Sequence, residues 1–96
     1  MRITNHEKSV IIEAVKTIDS DARVWLFGSR TDDSKKGGDI DIAVLSVKIK
    51  QSVMQEIAVR HFICDRIGEQ KIDIVASAEG KEAFFRLAVE EGIELL

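Results

Sequence analysis

Two aspartates, Asp39 and Asp41, stand one residue apart in the hydrophobic run DIDIAVLS, residues 39–46. Alternate side chains of an extended strand share a face, so both carboxylates are expected to point one way while Ile40 and Ile42 anchor the other. Their Cα atoms should then lie about 6–7 Å apart. Adjacent carboxylates repel, which costs free energy unless a cation or a shared proton compensates. KIDIVAS, residues 71–77, repeats the design, with Asp73 opposite Ile72 and Ile74. If that strand lies beside the first, Asp73 joins the same acidic group. A purely carboxylate donor set suits a hard ion, Mg²⁺ or Mn²⁺, which completes its shell with water and phosphate oxygens.

Phosphate chemistry also fits the residues just upstream. The run ARVWLF, 22–27, ends in Gly28-Ser29 and is followed by a polar loop to residue 38. Gly28 allows the backbone to approach a phosphate closely, and Ser29 offers a hydroxyl and an amide. Arg30, Lys35 and Lys36 are candidate phosphate contacts, although a basic loop run is more often simply solvated. Gly-Ser at a strand end, a short loop and Asp-x-Asp together suggest a nucleoside triphosphate held between backbone donors and metal ions. Competing motifs fail on spacing. Gly37-Gly38 is followed by Asp39 rather than the Lys-Ser/Thr of a P-loop. An EF-hand begun at Asp32 would put Lys36 and Ala43 where oxygen ligands belong. No G-x-S-x-G elbow surrounds Ser29.

These residues need a scaffold. Thr4-Asn5-His6-Glu7 fits a capping box, and Val10, Ile11, Ala14, Val15 and Ile18 recur at helical spacing, which predicts a helix over 5–18. Strands are predicted at 22–27, 39–46 and 71–77. A helix is predicted over 48–67, stopped by Gly68, and another around Ala83, Phe84, Leu87 and Ala88, closed by Gly92. GIELL is a candidate edge strand. The loop between the first two strands favours antiparallel pairing, and the helix between the second and third favours parallel pairing. The expected fold is α/β in the α+β sense, a small mixed sheet with helices packed against it, as one domain over 1–96. Trp25, Phe27, Phe84, Phe85 and Cys64 are expected in the core, and His6 and His61 on helix surfaces. An exposed Phe85 or neighbour would mark a partner-binding surface.

Composition narrows the class. The chain is 45% hydrophobic and 32% charged, which is the balance of a globular protein. A net charge of −3 provides no global field for nucleic acid or anionic membranes. One cysteine, Cys64, excludes an intrachain disulfide framework and fits a reducing compartment. Neither a signal-peptide pattern nor an apolar run of about 20 residues is present, so a cytoplasmic, non-membrane protein is expected.

The stretch GSRTDDSKKGGDIDIAV resembles the Gly-Ser…Asp-x-Asp signature of the DNA polymerase β-like nucleotidyltransferase superfamily, and Asp73 in KIDIVAS matches that family's third carboxylate. The small size, the first helix and the EEGIELL ending resemble its minimal (MNT) members. That resemblance implies Asp39, Asp41 and Asp73 as catalytic residues holding two Mg²⁺ ions, or Mn²⁺, with Gly28, Ser29 and Arg30 on the nucleotide and ATP as substrate. It implies transfer of a nucleoside monophosphate, AMP in the leading case, with Asp73 helping to deprotonate an acceptor hydroxyl. MNT relatives act as antitoxins to a HEPN-type RNase toxin, so the resemblance implies such a partner and an oligomeric assembly. The chain contains no tyrosine, so a tyrosine acceptor would belong to another protein. Two alternatives stand beside this: a non-catalytic module that neutralises a partner by occlusion, and a transferase acting on a small molecule of the antibiotic type.

Overall fold

The computed structural model describes residues 3–28 and 39–95. In chain order these form α1 (Asn5–Ile18), β1 (Arg23–Phe27), β2 (Ile40–Leu45), α2 (Val47–Lys50), α3 (Val53–Ile67), β3 (Ile72–Ser77), α4 (Ala83–Glu91) and β4 (Ile93–Leu95). The strands make one mixed sheet in the order β3-β2-β1-β4. β1 runs antiparallel to both β2 and β4, and β2 runs parallel to β3. The α+β architecture and both expected pairings are therefore present, with the C-terminal segment as an edge strand beside β1.

Local chemistry explains where the first helix starts. The Thr4 hydroxyl accepts from the Glu7 amide at 3.0 Å, and the Thr4 amide donates to the Glu7 carboxylate at 2.8 Å, so the capping box is complete. Val10, Ile11, Ala14 and Val15 then form one buried stripe.

The two sheet faces are covered unequally. On one, α1 and α3 bury Val24, Leu26, Ile40, Ile42, Val44 and Ile72 in the main core. On the other, α4 covers only the far half, where Phe85 and Ala88 pack on Trp25 and Ala43. The Phe85 ring meets Trp25 edge-on at 5.8 Å between centroids, a favoured aromatic geometry.

Three expectations change. The predicted 48–67 helix is two helices: the Ser46 side chain caps α2, Gln51 closes it, and the backbone turns extended at Ser52 before α3 begins. Val53 is consequently 68% exposed at the start of α3. Phe84 is 60% exposed, not core: it stands on α4 one position from buried Phe85 and so faces away from the sheet half that α4 covers. Cys64 is only half-buried, its thiol donating to the Gln70 carbonyl at 3.6 Å.

Ser46 joins distant parts of the chain. Its hydroxyl donates to Asp19 Oδ2 at 2.6 Å and accepts from the Ile49 amide at 3.1 Å, linking the end of α1 to the start of α2. The Ser46 hydroxyl holds the Asp19 carboxyl below its ordinary 3.8; burial opposes this, and the Asp21 amide, Lys48 and Lys16 reinforce it. A depressed folded value contributes stability that is full above 3.8 and lost as pH falls through the folded value. Ser46→Ala should therefore cost about 1–2 kcal/mol near neutrality. The difference from the natural chain should narrow in acid. Urea midpoints at pH 7 and pH 3 check both statements, and an unchanged midpoint at pH 7 would refute them.

Candidate active site

The acidic group is built by strand register. Phe27 pairs with Asp41 across β1 and β2, and Asp41 pairs with Asp73 across β2 and β3. Directly paired residues point to the same face, so Phe27, Asp41 and Asp73 form one row across three strands. The neighbouring row is Trp25, Ala43 and Val75, which α4 covers. The acidic row lies just beyond that cover, at the end of the sheet where β1 stops and β2 and β3 begin. Ile40, Ile42 and Ile72 on the opposite face are buried and hold both acid-bearing strands in the core.

Asp41 and Asp73 stand directly opposite each other across β2 and β3, so their carboxylates share one face of the sheet. Partial burial raises the Asp41 carboxyl above its ordinary value; the charge of Asp73, the hydrogen bond to it and the charge of Asp39 add to the rise, and Lys71 opposes it. Asp39 is in electrostatic reach of this pair but is turned toward Lys71, whose Nζ lies 3.6 Å from Asp39 Oδ2 on the exposed rim. Among the described residues, no group of three carboxylate, histidine or cysteine side chains is drawn together closely enough to hold a metal ion. The structure thus brings together Asp41 and Asp73, with Asp39 beside them and ion-paired.

Gly28 closes β1 over this row. Its φ is +75°, a conformation that side-chain-bearing residues rarely adopt, and a Cβ there would collide with Asp41 Oδ2. Only a glycine lets the backbone come this close to the carboxylate. Ser29 and Arg30, the other nucleotide-binding candidates, lie outside the described residues, as do Lys35 and Lys36.

The donor set suits a hard divalent cation. It is all oxygen and partly desolvated, and it sets two acidic groups opposite each other across neighbouring strands, a repulsion that a cation would relieve. Two residues were missed by sequence reasoning. Lys71 is two positions before Asp73, and a parallel register would have placed it beside Asp39. Phe27 shares the acidic face, and its ring meets Phe84 edge-on at 6.3 Å, giving the row an aromatic wall. A shallow cavity of about 460 Å³, lined by Arg60, His61, Cys64, Glu69 and Gln70, does not include the carboxylates.

A mixed sheet with an Asp-x-Asp strand beside an Asp-bearing parallel strand, approached by a glycine at a strand end, defines a phosphate-transfer scaffold. A family model described as polymerase beta, nucleotidyltransferase matches residues 9–96, and the chain belongs to this family. No curated protein gives a match to it. The chain therefore carries a nucleotidyltransferase domain, whose general reaction is transfer of a nucleoside monophosphate. Among the described residues, no helix is long and apolar enough to cross a membrane.

Proposed function

We propose that this protein transfers AMP from ATP to a hydroxyl group of a partner protein, and that the partner is a HEPN-type toxin which it neutralises. The observation that carries the reaction is the pairing of Asp41 opposite Asp73 on the uncovered half of the sheet, beside Gly28. Asp39, Asp41 and Asp73 would hold divalent Mg²⁺, or Mn²⁺ in its place. Bound there, the ions supply positive charge to phosphate oxygens and to the attacking and leaving oxygens.

The protein's own residues orient and accept. The acceptor oxygen forms a bond to the α-phosphorus, and the bond from that phosphorus to the oxygen bridging the β-phosphate breaks. Pyrophosphate leaves with that electron pair. The hydroxyl proton passes to a carboxylate oxygen of Asp73. A protein acceptor is favoured by the exposed apolar side chains of α4, Phe84 at 60%, which meets Phe27 of the row, and Leu87 at 50%, three positions further along the helix.

The test is incubation with Mg²⁺ and α-labelled ATP, with and without the product of the adjacent gene, using Asp39→Asn/Asp41→Asn as control. Label on the partner that disappears with the double variant is the expected result. A complex that forms without any label would instead support neutralisation by occlusion, for which the same Phe84–Leu87 surface would serve.

A further inference from the structure

The row Phe27–Asp41–Asp73 has a closed end and an open end. β1 continues it to Phe27, whose ring is walled by Phe84. Beyond Asp73, no further strand is found among the described residues, and β3 is the sheet edge. The two edges are finished differently. β4 has three residues, and its Glu94 is engaged by Arg23 through two hydrogen bonds of 2.7 Å. β3 has six residues, IDIVAS, with no proline, glycine or lysine to blunt it. An edge left in this state is a template for pairing with another strand.

The ladder shows which groups face outward. The Ile40 amide donates to the Lys71 carbonyl at 3.1 Å, and the Ser46 amide donates to the Ser77 carbonyl at 2.9 Å. With the β2–β3 register this directs the backbone groups of 71, 73, 75 and 77 toward β2, and those of Ile72, Ile74 and Ala76 outward. Arg60 Nε already donates to the outward Ile72 carbonyl at 2.9 Å, so that edge accepts donors. No other described strand pairs with Ile74 or Ala76 there.

We infer that the acceptor is an extended peptide segment that adds to the β3 edge as an antiparallel strand, with its hydroxyl-bearing residue opposite Asp73. This rests on the transferase reading above and specifies how its substrate is presented. In such a pairing Ile74 exchanges hydrogen bonds with the incoming chain. Asp73 then faces its partner at a non-hydrogen-bonded position, where Cα atoms approach to about 4.5 Å and side chains are closest. The acceptor side chain thereby becomes the fourth member of the row, next to the carboxylate that takes its proton. Main-chain bonds supply the affinity, and alternate side chains supply the selectivity.

The experiment uses heptapeptides with a central Tyr, Thr or Ser between β-branched residues, incubated with the protein, Mg²⁺ and α-labelled ATP. Each has two companions, one N-methylated on both residues flanking the centre and one N-methylated on the central residue. Tyramine serves as a small hydroxyl acceptor. Flanking N-methylation should lower peptide labelling about tenfold or more, through loss of one or two hydrogen bonds. Central N-methylation should not, because that amide points away from β3. Ile74→Pro removes an outward amide without breaking a bond to β2, a replacement that edge strands tolerate. It should lower peptide labelling similarly while tyramine labelling persists, whereas Ile74→Ala, which keeps the amide, should label peptides normally. If Ile74→Pro does not fold, the methylated peptides still decide. Equal labelling of methylated and plain peptides, or label on tyramine but on no peptide, overturns the inference and leaves the transferase reading intact. Protection of the Ile74 and Ala76 amides from hydrogen exchange in the free protein, through pairing of two copies, also overturns it. No label on any acceptor overturns the transferase reading and this inference with it.

Discussion

Asp41→Asn is expected to lower nucleotide transfer on the order of a hundredfold or more while making the metal-free protein harder to unfold. Both effects come from one pairing. Asp41 is partly buried opposite Asp73, with Asp39 nearby and rim-exposed Lys71 in opposition. Like charges paired directly across strands destabilise a sheet by roughly 0.2–1 kcal/mol, so removing one charge should raise the melting temperature by a few degrees. The sign with pH follows from the raised Asp41 carboxyl. The folded chain binds that proton more tightly than the unfolded chain, so the penalty is full at neutral pH and absent below the unfolded value of 3.8. The gain from asparagine should shrink accordingly in acid. Thermal melts in chelator at pH 7 and pH 3.5, beside the α-label assay, read both effects. A variant that is active, or less stable at pH 7, would sink this account.

Gly28→Ala should remove comparable activity although it substitutes no carboxylate. At φ +75° an alanine is strained by about 1–2 kcal/mol, which lowers the urea midpoint. Its Cβ would also press against Asp41 Oδ2, so either the carboxylate rotates or the end of β1 shifts. Displacements near 1 Å at a reacting centre cost on the order of a hundredfold in rate. Gly68→Ala supplies the control. Gly68 has φ +93° but nothing within 4 Å of the added Cβ, so its substitution should cost stability without activity. Equal activity in the two variants would separate Gly28 from the chemistry.

The acidic row was legible in the sequence because period-two alternation fixes faces. Asp39-Ile40-Asp41-Ile42 and Ile72-Asp73-Ile74 admit one sensible orientation, with isoleucine inward. The capping box gave the start of α1 directly, and connection lengths gave both strand pairings. The position of β4 beside β1 was not legible, because GIELL names a strand but not its neighbour. The break between α2 and α3 was hidden because no glycine or proline marks it; α2 closes at Gln51 and α3 restarts after Ser52, whose extended backbone makes the turn and which is also tolerated inside helices. Phe84 was misplaced because Phe84-Phe85 gives hydrophobicity without direction, and only docking of α4 decides which ring enters. Asp39 was assigned to the carboxylate group by alternation and by the family resemblance, and its ion pair with Lys71 depends on register between strands about thirty residues apart.

The row that α4 covers has a practical consequence. Trp25 is the single tryptophan of the chain and is 6% exposed, between Phe85 and the Arg23 guanidinium 4.8 Å from its ring centroid. It sits one step along the same face of β1 from Phe27, which belongs to the acidic row. Its fluorescence therefore comes from one site only, at the joint between α4 and the sheet. Emission from this indole reports the undocking of α4 without interference from any other tryptophan, and gives a built-in optical signal for whatever moves the covered half of the sheet relative to the acidic half.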